Sequence, residues 1–93
     1  MKQEAVFKAL ADPTRRQLLR LLTKNARSAG ELADAVAMSP AALSHHLSRL
    51  KAAELVRTER RGQHIVYSLN TTVFEDVTRM LLDLLNVSDS RRK

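Results

Sequence analysis

Ser44, His45 and His46 are consecutive residues whose side chains could attack a substrate, transfer a proton or bind a metal ion. The surrounding pattern predicts a helix, where neighbours project about 100° apart, so a Ser44 nucleophile would not face a His45 base. Metal ligands on one helix usually lie three or four residues apart, and the adjacent histidines lack that spacing. We therefore expect neither catalysis nor metal binding here, and we expect His46 to pack at the edge of the core.

The helix that carries these residues has a clear start signal and two different faces. Ser39 followed by Pro40 is a capping side chain and then a ring that needs no amide hydrogen. Leu43, Leu47 and Leu50 share one face, which is predicted to lie in the core. The other face carries small or hydrogen-bonding side chains, which suit close approach to base edges in a DNA major groove. The residues expected to bind DNA from this segment are Ser39, Ala41, Ala42, Ser44, His45, Ser48 and Arg49.

Earlier start signals predict the helices that position this one. The aspartate and proline at 12–13 predict the start of a second helix, after a first helix that stops nearby. Ser28 and Glu31 have the spacing of a capping box, which predicts a third helix that runs to Val36. A tight turn over 37–39 then joins the third and fourth helices. Two helices joined in this way predict a helix-turn-helix.

A basic strand pair follows the fourth helix. Residues 56–60 and 63–69 are predicted to form the strands of a hairpin, with the turn at Arg60-Arg61-Gly62. Directly after a helix-turn-helix, its polar side chains are expected to reach phosphates or the adjacent minor groove, although an ordinary solvated surface is the alternative. The residues expected to contact DNA from this hairpin are Arg57, Arg60, Arg61, Gln63 and His64.

The last predicted helix, from Asn70 or Thr71 to about Asn86, is apolar over more than one stripe of its circumference. A chain this small has little left to cover the second side, so a twin chain is expected to do so. The alternative is that the helix packs only in the chain's own core. Both arrangements can hold at once, with one face of the helix in the core and another on the partner chain. The residues expected at the dimer interface, on the first and last helices, are Val6, Leu10, Phe74, Val77, Leu81, Leu84 and Leu85.

Length and composition set limits on the class of protein. Ninety-three residues predict one domain over 1–93, with 88–93 as a frayed polar tail. The formal net charge is +6, and its excess lies before residue 71, which fits a polyanionic partner. No cysteine is present, so disulfides are excluded and a cytoplasmic location is expected. No membrane span or signal peptide is expected, and three aromatic residues favour duplex over single-stranded nucleic acid.

The order and identity of these segments resemble the ArsR-type family of winged-helix repressors. Residues 7–22, 31–36, 43–53 and 61–69 carry the resemblance, which covers about 5–85 of the chain. Within the family, the chain is most similar to the cysteine-free autorepressors of the sporulation-delaying-protein type. The resemblance implies a mainly α fold with a small β-hairpin wing, in the order α-α-α-α-β-β-α. It also implies a homodimer, joined by its first and last helices, that sits on an operator and blocks transcription.

Three departures from the family pattern affect what is expected of this chain. Many members sense metal through a cysteine pair on the third helix, where this chain has Ala33 and Ala35. Others place Asp and His ligands on the last helix, but no histidine follows His64 here. We therefore expect no metal site and no cofactor. Glu54 stands where the family usually has the glycine that ends the fourth helix, so modest backbone strain is expected there.

The sequence thus predicts a homodimeric repressor on an inverted-repeat operator, with no enzymatic activity. One alternative is a derepressor, in which a small ligand or a protein binds at the dimer interface and releases the DNA. The other is a winged helix that binds protein instead of DNA. The role of Arg15 and Arg16, as phosphate contacts or as structural residues, stays open at this point.

Overall fold

The computed structural model describes residues 1–85, which form five helices and a three-stranded antiparallel sheet. In chain order the elements are α1 (Gln3–Leu10), α2 (Pro13–Leu22), β1 (Arg27–Ser28), α3 (Ala29–Val36), α4 (Pro40–Ala52), β2 (Val56–Arg61), β3 (His64–Leu69) and α5 (Thr71–Leu84). The predicted class, mainly α with a β-hairpin wing, is confirmed, and β1 is an addition to the predicted order.

The starts of α2, α3 and α4 lie where the capping signals predicted them. Asp12, Ser28 and Ser39 each accept a hydrogen bond from the backbone N–H three residues later, at 3.0, 3.2 and 3.2 Å. Each bond satisfies one of the N–H groups that the first turn of a helix leaves free. The capping box is complete, because the Ser28 backbone N–H also donates to the Glu31 carboxylate at 2.8 Å.

The sheet has the strand order β1-β3-β2, and its first strand was not predicted. Arg27 lies opposite Tyr67, and Ser28 lies opposite Val66. The pairing connects the start of α3 to the middle of β3, so the wing is attached directly to the helix-turn-helix. A two-residue strand has no periodicity to read, and its partner is almost forty positions away in the chain.

The hairpin turn is shorter than expected. The sequence placed the turn at Arg60-Arg61-Gly62, but β2 continues through Arg61 and β3 begins at His64. Only Gly62 and Gln63 form the turn, and Gly62 has a φ of 61°. A two-residue hairpin turn favours positive φ at its first central position, which glycine adopts without a steric cost. Both arginines are therefore strand residues with fixed, opposite directions.

Helix α5 begins at Thr71, after Asn70. The position of Asn70 as the N-cap residue is confirmed, but its side chain makes no capping bond. Instead its amide donates to the Glu54 carbonyl oxygen at 3.0 Å and accepts from Arg57 at 3.2 Å. The helix ends at Leu84, two residues before the expected end, and residues 86–93, including the expected tail, lie outside the described residues.

The core draws on every helix and on β2. Its most deeply buried large side chains are Val6, Leu18, Leu32, Leu50 and Leu55. Within residues 1–85 no polar or charged residue is buried, so the core is stabilised by apolar burial and van der Waals packing.

Two non-glycine residues end helices in the left-handed region of φ. Ala37 ends α3 with φ 52°, and Glu54 follows α4 with φ 60°. After α4, the N–H of Leu55 donates to the Leu50 carbonyl at 3.0 Å and that of Glu54 to Lys51 at 2.9 Å, which is a Schellman motif. The motif needs positive φ at Glu54, so the expected strain at this position has a structural basis.

Replacing Glu54 by glycine is expected to stabilise the protein by about 0.5–1 kcal/mol. Relief of the left-handed conformation contributes about 1–2 kcal/mol, and the greater freedom of glycine in the unfolded chain offsets part of it. Urea unfolding at one fixed protein concentration measures the change. Glu75→Gly, on an exposed turn of α5, is the matched control and should cost about 1 kcal/mol. Equal losses in both variants would contradict the strain at Glu54.

Candidate nucleic-acid interface

Helix α4 divides its surface between the core and solvent. Leu43, Leu47 and Leu50 are 2%, 3% and 0% exposed and face the other helices. The cap at Ser39 and the ring of Pro40 fix where the helix begins, and the Schellman motif fixes where it ends. The direction of every other side chain on the helix follows from the burial of these three leucines.

All of the predicted groove residues on this segment are exposed. The exposed residues are Ser39, Ala41, Ala42, Ser44, His45, Ser48 and Arg49. Within residues 1–85, the side chains of Ser44, Ser48 and Arg49 have no hydrogen bond or ion pair, so their polar groups are free for a ligand. Small side chains at Ala41 and Ala42 leave the first turn of the helix open to close approach. The structure thus brings the predicted helix residues together on one face.

Helix α3 and the turn over residues 37–39 position α4 relative to the rest of the chain. α3 packs on α2, α4 and the sheet. The capping box of α3 stabilises the charged form of Glu31. The hydrogen bond from the Ser28 backbone N–H is the largest cause that holds the pKa of the Glu31 carboxyl below its usual value. The left-handed Ala37 reverses the chain, and the Met38 N–H donates to the Ala33 carbonyl at 3.2 Å.

The wing presents its charges on both faces of the hairpin. Arg60 lies opposite Ile65, and Arg61 lies opposite His64. Because successive strand residues point to opposite faces, the two arginines project in opposite directions at the tip. A tip with cations on both faces matches a groove that has phosphates on either side. Gln63 occupies the turn between them and is exposed.

The wing arginines differ in their contacts. The Arg61 guanidinium contacts the Glu59 carboxylate at 3.0 Å, and Arg57 donates to the Asn70 side chain at 3.2 Å. The ion pair is exposed on both sides, at 62% and 66%, so it contributes little stability and can be exchanged for a stronger anion. Within the described part of the chain, the Arg60 side chain has no hydrogen-bond or ion-pair partner.

Arg15 and Arg16 lie at the junction of α1 and α2. Arg15 donates to the carbonyl oxygens of Ala9 at 2.8 Å and Lys8 at 3.1 Å, and Arg16 donates to that of Leu10 at 2.8 Å. Both cations therefore bind carbonyls of the last turn of α1, where a positive charge is also favoured by the helix dipole. Both arginines thus have structural contacts within the chain, which is one of the two roles that the sequence left open.

His46 is half-buried beside this junction, as predicted. Its side chain is 17% exposed, and its Nδ1 atom lies 3.2 Å from Arg15 and 3.8 Å from the Asp12 carboxylate. The hydrogen bond from the Arg15 backbone N–H is the largest cause that holds the pKa of Asp12 below its usual value. The rings of His45 and His46 diverge, with an angle of 67° between their planes, so the pair does not converge on one ligand.

Comparison with known proteins agrees with this geometry. Residues 12–58 match the family model described as bacterial regulatory protein, arsR family, and this segment contains α2, the helix-turn-helix and the first half of β2.

The chain belongs to the arsR family.

Relatives of this arsR-family chain extend the match to nearly its whole length. The transcriptional repressor SdpR of Bacillus subtilis (strain 168) is 46% identical over 85 residues, which cover 91% of this chain and 94% of SdpR. An ArsR-like transcriptional regulator from Rhodococcus sp. RHA1 has a TM-score of 0.84 and 32% identity, over 95% of this chain and 81% of the regulator. A homodimeric winged helix-turn-helix DNA-binding domain from Mycobacterium bovis has a TM-score of 0.72 and 33% identity, over 95% and 79%.

The residues predicted for a dimer interface fall into three groups in this arsR-family chain. Val6 and Val77 are 0% and 5% exposed, because they pack in the chain's own core and offer no area to a partner in this conformation. Leu10 and Phe74 are partly buried. The remaining three are exposed, at 44% for Leu81, 68% for Leu84 and 73% for Leu85.

The residues predicted for the interface leave out part of the exposed apolar surface on the first and last helices. Phe7 on α1 is 43% exposed, and Leu82 on α5 is 40% exposed. Phe7 lies next to Val6 in the sequence, so the helical stripe that identified Val6 pointed to the buried side of α1. A large aromatic residue outside the buried stripe of a short helix is the signal that could have found it.

A small apolar pocket lies between α3, α4 and β3. Its volume is about 170 Å³, and its lining residues are Ala29, Gly30, Ala33, Pro40, Leu43, Ser44, Leu47 and Tyr67. Sites for small organic ligands usually measure roughly 300–1,000 Å³, so this pocket gives no support to an inducer site between the helices.

Residues 1–85 contain neither a metal-binding cluster nor a membrane-spanning helix. Among residues 1–85, no group of three or more His, Asp or Glu side chains is arranged to hold a metal ion. Helices in the same range are all too short or too polar to cross a membrane.

Proposed function

We propose that this chain is a homodimeric transcriptional repressor that binds an inverted-repeat operator in the cytoplasm and needs no metal or cofactor. The observation that carries the proposal is the division of α4: its leucines lie in the core, and on its polar face the side chains of Ser44, Ser48 and Arg49 have no partner within residues 1–85. An unpartnered face of small, hydrogen-bonding side chains on the second helix of a helix-turn-helix fits base edges in a major groove.

The wing supplies the second contact in this proposal. Its arginines flank the DNA backbone beside the groove that α4 enters, and Arg60 is free to do so without giving up a bond within the described chain. Such contacts position the protein and add affinity, but they carry no direct sequence information.

A second copy of the chain is proposed to cover the exposed ends of α1 and α5. Leu81, Leu84 and Leu85 leave a large apolar surface in water, and the similar winged helix-turn-helix DNA-binding domain from Mycobacterium bovis is homodimeric. A two-fold dimer binds two half-sites of opposite orientation, which is why the operator is proposed to be an inverted repeat.

No catalytic step or metal signal forms part of the proposal. Ser44 and His45 act as hydrogen-bonding groups, and the alanines at 33 and 35 cannot serve as ligands. Dissociation from the operator would then depend on a signal that requires no bound ion, and added zinc or chelator should leave operator affinity unaltered.

Selection of bound sequences from a random DNA pool tests the whole proposal. An enriched sequence with inverted-repeat symmetry is expected. Enrichment of nothing above a random pool, together with a gel shift that vanishes at moderate salt, would support the protein-interaction module instead.

Replacing Ser44 or His45 by alanine is expected to weaken operator binding by about 1–3 kcal/mol and to relax the preference at particular base pairs. The loss follows from base contacts that the alanine side chain cannot make. Binding titrations against the operator and its single-base variants measure both effects. Arg60→Ala is the comparison, because it should weaken binding without relaxing preference. Unchanged preference in both Ser44→Ala and His45→Ala would remove them from the groove.

Removing Arg60 or Arg61 is expected to weaken binding to operator and random duplex alike. Each lost phosphate contact should reduce the slope of log affinity against log salt by about 0.9. Arg79→Ala is the matched control, since it removes the same charge from an exposed site on α5 that is paired with Asp76. If Arg79→Ala reduces the slope equally, net charge and not contact explains the effect.

A charge within the proposed interface is expected to separate the protomers. Leu81→Glu would bury an unpaired carboxylate and cost several kcal/mol of association, so operator affinity should fall further than after any base-contact change. Sedimentation at micromolar concentration measures the oligomeric state. Thr72→Glu places the same charge on the opposite, exposed side of α5 and should leave the dimer intact. A wild-type monomer that still protects a symmetric operator would refute the arrangement.

A further inference from the structure

The Arg15 side chain joins three helices at one point. From α2, its Nε atom donates to the Ala9 carbonyl and its Nη2 atom to the Lys8 carbonyl, both at the end of α1. Its Nη1 atom lies 3.2 Å from Nδ1 of His46 on α4. The planar guanidinium fixes the directions of these three bonds, so the arrangement constrains angles as well as distances.

The chemistry of the pair defines the state of His46. Arginine donates hydrogen bonds and cannot accept them, so Nδ1 of His46 must be the acceptor. The ring proton then lies on Nε2, and the imidazole that makes this contact is neutral. Asp12, whose carboxylate lies 3.8 Å from the same nitrogen, caps α2 through the Arg15 backbone N–H. Arg15 is thus held at both its backbone and its side chain.

His46 occupies a special place on α4. It lies between His45, which is on the exposed polar face, and Leu47, which is in the core. A bond to His46 therefore links α4 to α1, through Arg15, at the level of the proposed base contacts. α1, which receives the other two Arg15 bonds, packs on both α2 and α4 and carries the exposed Phe7.

We propose that Arg15 and His46 are positioning residues that fix α4 relative to α1 and so determine the half-site spacing that the dimer accepts. The proposal rests on the proposed function, because α1 contributes to the proposed partner face. In a two-fold dimer, the separation and rotation of the two α4 helices depend on the angle between α4 and the interface helices. A change of one base pair moves a half-site along the duplex and rotates it by about a tenth of a turn.

The test measures affinity for operators whose two half-sites are moved together or apart by one or two base pairs. The full-length wild-type chain should prefer one spacing. In His46→Leu and in Arg15→Gln, the ratio between the preferred and the one-base-pair-shifted operator should fall by about 2–30-fold. Affinity for a duplex with a single half-site should stay within about twofold, because α4 keeps its core contacts and its polar face.

Two variants separate positioning from general stability. His46→Asn keeps an acceptor close to the position of Nδ1 and should retain the wild-type spacing preference. Arg15→Lys keeps the charge but lacks the planar guanidinium, so it should lose the preference for one half-site spacing. If His46→Leu does not fold, Arg15→Lys replaces it in the spacing measurement. His45→Ala is the comparison on the neighbouring residue: it should change base preference and leave spacing preference as it is.

The outcomes distinguish this inference from the proposed function. A wild-type spacing preference that survives in full in folded His46→Leu and Arg15→Lys would overturn the positioning role and leave the repressor proposal standing. Equal loss in His46→Asn and His46→Leu would also overturn it, since the acceptor would then be irrelevant. A wild-type chain with no preferred spacing would refute the symmetric dimer itself, and this inference with it.

Discussion

The burial of Leu43, Leu47 and Leu50 is the constraint on which the rest of the structure depends. These three side chains fix the rotation of α4, and the same rotation exposes Ser44, His45 and Ser48 on the opposite side. A rotation of α4 that changed the packing of its leucines would also move the polar side chains on the opposite face. Any change in the packing beneath α4 is therefore also a change in the surface that it offers to DNA, and the small core couples stability to recognition.

Local signals were sufficient for the start of each helix in the DNA-binding half. A capping residue and its acceptor bond lie within four positions of the chain, so Asp12, Ser28 and Ser39 could be identified without any tertiary information. The positive φ at Glu54 was also predictable, through the glycine that the family places there. The two-residue strand β1 could not be predicted, because its only determinant is pairing with a distant strand.

The polar face of α4 could be predicted from the sequence, but the apolar partner surface could be predicted only in part. The polar face of α4 follows from helical periodicity alone, and the structure places all of its predicted residues in solvent. Periodicity cannot distinguish a stripe that packs in the chain's own core from one that packs on a partner, so Val6 and Val77 were grouped with Leu84. The Arg15 contacts to α1 carbonyls and to His46 join residues up to 31 positions apart, and no spacing rule points to them.

Helix α5 suggests how so short a chain manages two packing requirements. The buried and exposed apolar residues of α5 lie at different ends of the helix. Val73 and Val77, in the first half, are buried in the core, whereas Leu84 and Leu85, at the C-terminal end, are exposed. A chain of this size buries only a modest fraction of its surface, so an apolar extension is costly in water unless another surface covers it. A second copy that covers it would add apolar burial to both chains. Folding of the last helix and assembly of the dimer would then be stabilised by the same leucines.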